Sequence, residues 1–535
     1  PKLVNMTEES EEVIDESVET ETVDEDSPKD SDTADASITE DNSSKLPEEL
    51  LNPLKDMTEG TNSLIFANSK PMVEELAVSL KGLILDENTF SHTASVSKNT
   101  REEIEYMAKN GLVSPYRICC TTTMEHGIDF PTLDQICQIG STSSVSSLIQ
   151  RAGRSGRRGG PAVIHILSTD EWDMIQSIAC SNLLQHNEIE EPNSKAQFWN
   201  VLLMQILSVV RQHQMTNSEE KGILTADILV DKFSKSFAFS FSIEDIRKII
   251  DDSIASDLIR DFEGDLIIGD AGSNLVGKMN SYTSFVTPVE YKVKCLELEH
   301  PEIGTLPTSV NLSEGSCFKL SARKWEVTGI DNKTIYVKPA PKGKKLNILS
   351  DAAPVSKEVE QEMQRICTCE ESYPFISDRC VPVLSKKREE FASYKRIGAL
   401  DTPCFMNSAN LFCFFPFQGT RIFNTLKLIL NAEEDEYALK VNKSMAGFLD
   451  QCKDIIANPP AIEEILVEQL TTGELVPTEK LEKYLPIEYQ AKMEATLKYD
   501  MEGAIAFLKS ISDGSNIPNI QNDGWITSDN VDTSA

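Results

Sequence analysis

The chain has 535 residues, a length that predicts about three or four domains, each with its own core. Its 51 basic and 86 acidic residues give a net charge of −35. This charge excludes a nonspecific coat for nucleic acid, so any polyanion must meet a local basic surface. The longest nearly apolar run, residues 201–210, is too short to cross a bilayer. Because the N-terminus also lacks a signal-peptide pattern, we expect a cytoplasmic protein without membrane contact.

Both ends of the chain have the composition of disordered segments. Residues 1–47 are rich in Glu, Asp, Ser and Thr and offer too little apolar surface to offset the entropy of ordering. We predict an acidic disordered segment there, with mimicry of nucleic acid or docking on a basic partner as the alternative. Residues 513–535 are predicted to form a disordered tail.

Residues 48–182 alternate short apolar segments with amphipathic ones, a pattern that predicts a parallel α/β sheet. The predicted strands are Ser63–Ser69, Arg117–Cys120, Gln135–Ile139 and Ala162–Leu167, and the predicted helices are Met72–Leu80 and Arg101–Lys109. Ligands of such sheets bind at the carboxyl ends of the strands. The loops that follow these strands are therefore the candidate site.

Two polar blocks fall in those loops, residues 120–129 (Cys-Thr-Thr-Thr-Met-Glu-His-Gly-Ile-Asp) and 150–158 (Gln-Arg-Ala-Gly-Arg-Ser-Gly-Arg-Arg). Arg151 and Arg154 are three residues apart and share a helical face. Gly153 between them and Gly156 after them would let the backbone approach a phosphate. One positioned arginine accelerates phosphoryl transfer by about 10³ to 10⁵. The alternative is a surface salt-bridge cluster.

These blocks resemble motifs V and VI of superfamily-2 DEAD/DEAH-type helicases, and Phe66-Ala67-Asn68-Ser69 resembles motif IV. From about Ser63 to about Ser512 the chain is similar to the large helicase-related (Lhr-type) proteins. The resemblance implies that residues 48–182 are the second of two RecA-like lobes, with ATP and Mg²⁺ as cofactors. It also implies roles for individual residues: Arg151 and Arg154 as catalytic arginine fingers, Gly127, Asp129 and Gln150 at the nucleotide, and Thr121 and Asn68 at the nucleic acid.

No segment fits the phosphate-binding pattern G-x-x-x-x-G-K-[ST], and we expect no metal-binding pair of the form Asp-Glu-x-Asp or Asp-Glu-x-His after one. The first residue is Pro1 rather than Met, which suggests a fragment or a processed product. We therefore expect the C-terminal part of a helicase whose P-loop lobe is encoded upstream or separately and holds most of the Mg²⁺. The isolated chain is expected to bind ATP weakly and to hydrolyse none.

Residues 195–272 are predicted to form a winged helix, with helices Phe198–Val210, Ala226–Phe233 and Ile243–Ile254 before a hairpin over Leu258–Ile268. The last helix carries four acidic residues, Glu244, Asp245, Asp251 and Asp252. Phosphate repulsion would disfavour its insertion into a groove. We therefore expect this domain to pack and to guide a strand rather than to read sequence.

Residues 280–350 are predicted to be a β-rich, barrel-like domain. Its predicted strands are Tyr282–Thr287, Tyr291–Leu296, Ser316–Leu320, Trp325–Ile330 and Thr334–Val337. Basic residues surround Trp325, and cations interleaved with an aromatic ring suit single-stranded nucleic acid. Lys324 and Trp325 are the candidate contacts. The alternative for Trp325 is a core position, because its neighbours alternate as in a packed strand.

Residues 354–512 are predicted to be mostly helical, interrupted by an aromatic strand over Asn410–Gly419 before a helix over Arg421–Leu430. Arg421 has two interpretations, a contact with a strand backbone or the cap of a core helix. Cys367, Cys369 and Cys380 lack a fourth ligand for zinc, and the twelve scattered cysteines fit free thiols in a reducing compartment. No metal site is predicted.

The expected function is ATP-dependent translocation on single-stranded or partly duplex nucleic acid, with DNA favoured over RNA, and duplex unwinding. The P-loop lobe is the expected protein partner. The alternative is a non-catalytic nucleic-acid-binding or regulatory module derived from a truncated helicase. An upstream P-loop lobe would separate the two hypotheses.

Overall fold

The computed structural model describes residues 46–84, 88–125, 133–155, 162–193, 196–216, 222–236, 241–276, 283, 290–308, 310, 312–341, 353–408 and 410–512. Within the described residues we distinguish four regions. They are the parallel-sheet domain (46–185), the helix-hairpin domain (199–276), the β-rich sheet (290–341) and the C-terminal domain (353–512).

The parallel-sheet domain has five strands in the order β2-β3-β1-β4-β5, all paired in parallel. The strands are β1 Ser63–Ala67, β2 Thr89–His92, β3 Arg117–Cys120, β4 Gln135–Ile139 and β5 His165–Leu167. The helices are α1 Glu48–Thr58, α2 Lys70–Ile84, α3 Lys98–Lys109, α4 Val145–Ala152 and α5 Glu171–Gln185. The predicted parallel α/β architecture is confirmed.

The central strand β1 explains the packing of this domain, because all five of its residues are buried. Strands covered on both faces are apolar throughout, as expected for a parallel sheet between helices. Side-chain caps then fix where the helices begin. Ser97, Ser144 and Asp170 each accept a hydrogen bond from a backbone N–H in the first turn of α3, α4 and α5, which satisfies donors that a helix leaves unpaired.

The helix-hairpin domain contains the three helices and the hairpin that the sequence predicts. Its elements are α6 Trp199–Met215, α7 Ala226–Ser234, α8 Ile243–Ala255, β6 Ile259–Phe262, β7 Asp265–Ile268 and a further helix α9 Asp270–Val276. The hairpin turns at Glu263 and Gly264, which both have positive φ, 55° and 89°. Its core also includes Leu485, Tyr489 and Met493 from the C-terminal domain.

The β-rich sheet is a single layer in the order β10-β11-β12-β8-β9. Its strands are β8 Glu290–Lys294, β9 Glu302–Pro307, β10 Cys317–Leu320, β11 Arg323–Asp331 and β12 Thr334–Pro339. In the described part of the chain this sheet is open, with β9 and β10 at its edges, so the predicted barrel does not close there. The predicted strand over Tyr282–Thr287 lies outside the described residues, apart from Thr283.

Strand β9 joins the β-rich sheet to the parallel-sheet domain. Thr305 N donates to Ser95 O at 2.8 Å, and Ser97 N donates to the carbonyl oxygen of Ile303 at 2.9 Å. Between them, a Cβ added to Gly304 would lie 2.1 Å from Ser95 O. A glycine is therefore needed for this close backbone approach.

Helix α2 and the turn between β10 and β11 make a second junction, which we call the α2 clamp. Lys319 forms a buried ion pair with Glu75. The neighbouring Glu74 carboxylate accepts Ala322 N and the Ser91 hydroxyl, both at 2.9 Å. Burial raises the pKa of Glu74 in spite of these hydrogen bonds. The clamp therefore places charged groups inside an interface.

The C-terminal domain is mostly helical, as predicted, but it also contains a five-stranded antiparallel sheet in the order β13-β14-β15-β17-β16. The strands are β13 Lys395–Ile397, β14 Thr402–Ser408, β15 Leu411–Phe414, β16 Glu433–Asp435 and β17 Ala438–Val441. The helices are α10 Lys357–Thr368, α11 Cys380–Ser393, α12 Thr420–Leu430, α13 Met445–Ala457, α14 Ile462–Thr472, α15 Ile487–Lys498 and α16 Met501–Ser512. Only β15 was predicted from the sequence. Among the described residues, no helix combines the length and apolar character needed to span a membrane.

Candidate functional site

The carboxyl ends of β1, β3 and β4 meet the start of α4 at one edge of the parallel sheet. β1 leads to Asn68, β3 leads to Thr121, and β4 leads to the loop 140–142 before α4. Helix α4 then carries Arg151, and Arg154 follows two residues after the end of this helix. This edge is the candidate site that parallel topology predicts.

Helix α4 is held at its N-terminus by two side chains. The Ser144 hydroxyl accepts Ser147 N at 3.1 Å, and the Glu190 carboxylate accepts Val145 N and Ser146 N, both at 3.0 Å. Burial alone would raise the pKa of Glu190, but these hydrogen bonds outweigh burial and lower it. A carboxylate is favourable at this end of the helix dipole. Sequence reasoning missed Glu190, because no local pattern links it to a helix 45 residues earlier.

Arg151 points into the domain rather than out of it. Its side chain is 6% exposed, and Nε donates to Glu125 Oε1 at 2.7 Å. Its Nη1 donates to Gln138 Oε1 and, at 3.4 Å, to Asn68 Oδ1. The guanidinium carbon lies 5.4 Å from the centroid of the Phe66 ring, within the range of a cation–π contact. We call this set of contacts the arginine network.

This position bears on the arginine-finger role of Arg151, which stays a prediction. A guanidinium that is ion-paired and buried would have to leave its carboxylate uncompensated to reach a phosphate, at a cost of about 3 to 5 kcal/mol. Arg151 is buried in this structure, whereas Arg154 is half-buried. The three-residue spacing to Arg154 could not reveal this difference.

Glu125 connects the two arginines. Its Oε1 accepts both Arg151 Nε and, at 3.0 Å, the Ser147 hydroxyl. Its backbone carbonyl oxygen accepts Arg154 Nη2. Arg154 is half-buried, so part of its side chain remains open to solvent. Of the two predicted fingers, Arg154 is the more exposed.

Asn68 and Gln150 lie on the exposed side of the same edge. The Asn68 amide donates to Ser141 O at 2.7 Å, and its Oδ1 accepts Gln138 Nε2 at 3.3 Å. Asn68 therefore belongs both to the solvent surface and to the arginine network. Gln150 is exposed on α4, one residue before Arg151.

Thr121 is half-buried at the end of β3 and is followed by a 3₁₀ turn over Thr122–Met124. The buried side chain of His92 contacts this turn. Its Nδ1 lies 2.9 Å from the Thr123 hydroxyl, and its Nε2 lies 2.9 Å from Glu105 Oε1. Burial lowers the pKa of His92, although the neighbouring Glu105 acts in the opposite direction. His92 therefore supports the segment that carries Thr121.

The two predicted nucleotide contacts Gly127 and Asp129 lie outside the described residues, as does Arg157. The structure therefore does not place them relative to Arg154. Their roles stay predictions.

Asp170-Glu171-Trp172-Asp173 literally fits the acidic pattern Asp-Glu-x-Asp, a match that the prediction had overlooked. Asp170 caps α5 by accepting Asp173 N at 2.8 Å. Asp173 in turn accepts Ser141 N and, at 2.8 Å, Thr169 N. These carboxylates thus hold the loop 140–142 and the start of α5. Among the described residues, no group of three His, Cys, Asp or Glu is placed to hold a metal ion.

The β-rich sheet does not present the predicted aromatic contact. Trp325 is 1% exposed, and its Nε1 donates to Leu320 O at 2.8 Å. Since a stacked base needs an open ring face, the prediction for Trp325 is wrong and the core alternative is right. Lys324 is half-buried, with Nζ donating to Pro341 O at 3.3 Å. Lys319, another basic residue of this region, is buried in the α2 clamp.

Two other predicted regions are explained by helix α15. Arg421 Nη2 donates to Thr496 O at 3.1 Å and to Tyr499 O at 2.6 Å, so it caps the C-terminus of α15. The acidic helix α8 meets the same helix, because Asp245 accepts the Tyr489 hydroxyl at 2.9 Å. This face of α8 is therefore in a protein contact, as the packing interpretation expected.

The sequence is similar to those of known helicases. Residues 43–159 match the family model of the helicase conserved C-terminal domain. The chain is 26% identical over 307 residues to the ATP-dependent helicase Lhr-Core of Saccharolobus solfataricus, covering 54% of this chain and 34% of the relative. It is 36% identical over 118 residues to the Lhr-Core helicase of Methanocaldococcus jannaschii, covering 22% of this chain and 14% of the relative.

A solved structure of the Mycobacterium smegmatis helicase Lhr bound to ssDNA and AMP-PNP has the same fold. It matches with a TM-score of 0.56 and 16% identity over 87% of this chain and 65% of that chain. The chain spans about a third of the length of the curated relative with which it shares 307 aligned residues.

Four of the five strands of the parallel sheet lie within residues 43–159, so this domain belongs to the class of the helicase conserved C-terminal domain that it matches. Within that class, the chain is related to the C-terminal portion of the Lhr-type helicases.

Proposed function

We propose that this chain is the C-terminal part of an ATP-dependent Lhr-type helicase that couples hydrolysis to translocation on a single strand and to duplex unwinding. The observation that supports this most is the position of Arg154. It is half-buried at the carboxyl edge of the parallel sheet, and its Nη2 donates to the backbone carbonyl oxygen of Glu125.

In this proposal Arg154 acts across the interface with a P-loop lobe. A fixed guanidinium stabilises the charge that develops on the transferred phosphoryl group, an effect of about 10³ to 10⁵ in rate. Arg151 and Glu125 act indirectly, since they position Arg154 and Asn68. Gln150, Gly127 and Asp129 would contact the nucleotide.

ATP would supply the phosphoryl group, and Mg²⁺ would be held mainly by the P-loop lobe. We assign Mg²⁺ to that lobe because, among the described residues, no three His, Cys, Asp or Glu side chains are grouped so that they could hold a metal ion. The pattern of a P-loop is also missing from the 535 residues. Turnover therefore requires a lobe contributed from outside this sequence.

The nucleic-acid strand, DNA in the favoured case, would cross the same edge. Asn68 is exposed and Thr121 is half-buried there, and both present groups that can bond a phosphate backbone. Lys324 would add a cation from the β-rich sheet. Contacts of this kind position a strand without reading its sequence.

The test is ATPase activity stimulated by single-stranded DNA or RNA, measured for the chain alone and mixed with the P-loop lobe of an Lhr-type relative. We expect no turnover alone and restored turnover in the mixture. Arg154→Ala should then lower kcat by at least about 10³ without weakening strand binding. Arg379→Ala is the matched control, because Arg379 is exposed and directly precedes α11 in the C-terminal domain.

Strand binding without turnover in any mixture would reject this proposal. That outcome would favour the second candidate, a non-catalytic nucleic-acid-binding or regulatory module. The missing P-loop pattern is the observation on its side.

A further inference from the structure

The loop 140–142 lies between β4 and α4, and each of its three backbone carbonyl oxygens accepts a hydrogen bond from a side chain. The three carbonyl oxygens accept, in chain order, the side-chain amides of Gln138 at 3.0 Å, Asn68 at 2.7 Å and Gln176 at 2.7 Å. Gln138 and Asn68 belong to the arginine network. Gln176 comes from α5 and belongs to no motif recognised in the sequence.

Gln176 is buried and uses both ends of its amide. Its Nε2 donates to Thr142 O, while its Oε1 accepts the hydroxyl of Tyr437 at 2.6 Å. Tyr437 lies in the turn between β16 and β17 of the C-terminal domain. A hydroxyl of the C-terminal sheet therefore satisfies the oxygen of the amide whose NH2 group holds Thr142 O.

Tyr437 is itself well fixed. Its ring centroid lies 4.8 Å from that of Trp172 on α5 and 6.4 Å from that of Phe417. Burial raises the pKa of Tyr437 well above its ordinary value, so the hydroxyl stays protonated and can donate. Helices α4 and α5 also share one apolar core with the C-terminal domain, since Leu148, Trp172 and Phe417 belong to the same cluster.

We infer that Tyr437 and Gln176 form a positioning relay through which the C-terminal sheet holds the loop 140–142, and with it the arginine network, in working geometry. The relay runs from Tyr437 through Gln176 to Thr142. It continues from Ser141 to Asn68, whose Oδ1 accepts Arg151 Nη1 at 3.4 Å. Its consequence for hydrolysis depends on the proposed function, whereas its consequence for the loop does not.

The chemistry of the amide makes the relay specific. Without the hydroxyl, Gln176 Oε1 becomes a buried acceptor that has lost its donor, and the amide is held at Thr142 O alone. Thr142 O also accepts the Cys180 thiol at 3.5 Å, but a thiol is a weak donor and cannot replace the amide. Tyr437→Phe keeps the ring and its packing, so it removes the hydrogen bond to Gln176 without opening a cavity.

The direct test is backbone hydrogen exchange of the segment 140–150 in the full chain. Tyr437→Phe should speed exchange there by about tenfold, the effect of one lost buried hydrogen bond. Tyr394→Phe is the matched control. Tyr394 lies in the same apolar cluster but donates to Glu390 at 2.6 Å, within the C-terminal domain, so its variant should leave the segment unchanged.

The second readout is the ATPase of the chain mixed with a P-loop lobe. Tyr437→Phe should lower kcat by about tenfold and leave the KM for ATP unchanged, because the relay positions groups and does not bind substrate. If the wild-type mixture shows no turnover, the proposed function fails, while the exchange measurement still decides the relay.

Three results would overturn the relay. They are unchanged exchange in Tyr437→Phe, the same increase in Tyr394→Phe, or an increase spread evenly over the C-terminal domain. If Tyr437→Phe does not fold, Gln176→Glu tests the same link, because a carboxylate cannot donate to Thr142 O. That variant must then show the faster exchange of the segment 140–150.

Discussion

The arginine network and the α2 clamp both bury a cation against a carboxylate, but only the network is connected to solvent. In the network, Arg151 and Glu125 lie below the exposed Asn68 and the half-buried Arg154. In the clamp, Lys319 and Glu75 are closed between α2 and the β-rich sheet. The comparison teaches that a buried ion pair can either support a solvent-facing edge or hold two domains together. The difference depends on whether the residues that cover the pair face solvent or another domain.

Glu125→Ala should have the largest effect. It leaves Arg151 buried without its carboxylate, and we expect unfolding free energy to fall by about 5 kcal/mol, the upper end for such a deletion. Urea unfolding measures this change. Glu125→Gln is the control, since it keeps an acceptor for Arg151 and Ser147 and should lose clearly less. Equal losses in the two variants would show that charge, not geometry, holds the network.

The clamp should behave differently when both partners are replaced. Lys319→Met alone leaves Glu75 buried without its cation and should lower the free energy of unfolding by about 3 kcal/mol. Lys319→Met combined with Glu75→Met should come close to wild-type stability. A double-mutant cycle in urea measures the coupling. Strand binding should stay at the wild-type level in the double variant. A loss of binding there would mean that the clamp serves the site as well.

Trp325→Phe tests whether the β-rich sheet supplies a base-stacking surface. The variant removes the hydrogen bond to Leu320 O and part of the core volume, so we expect a loss of about 2 kcal/mol. Fluorescence anisotropy with single-stranded DNA should show unchanged affinity. Weaker binding by a variant that is otherwise folded would restore Trp325 to the candidate contacts.

The smallest effect concerns pH. Burial lowers the pKa of His92 in the folded chain, so the unfolded chain binds the proton more readily. The contribution of His92 to stability is thus present above its ordinary pKa of about 6.5 and is lost as pH falls towards the folded value. Unfolding measured from pH 7.5 to 5 should show this slope, and His92→Gln should flatten it.

Some features followed from local sequence and others depended on distant residues. Strands β1, β3 and β4 were predictable because each is a short buried apolar run. Strand β2 (Thr89–His92) and strand β16 (Glu433–Asp435) were missed, because neither has the apolar character of a buried strand. Tertiary pairing overrides weak local preference in such segments.

The site was predictable to the same extent. Parallel topology correctly brought Asn68, Thr121 and the arginine helix to one edge. It could not distinguish Arg151 from Arg154, because the difference comes from Glu125, 26 residues before Arg151 in sequence. Nor could local pattern place Trp325, where alternation and basic neighbours supported opposite interpretations.

Helix α15 has a consequence for how the chain can be divided. It contributes Tyr489 and Met493 to the core of the helix-hairpin domain, while Arg421 caps its other end. A protease cut in the exposed segment near Gly473 and Glu474 should therefore leave two pieces that stay associated and elute together. The piece ending before Leu485 should aggregate when made alone. The core of its helix-hairpin domain would lack Leu485, Tyr489 and Met493 and would expose apolar surface.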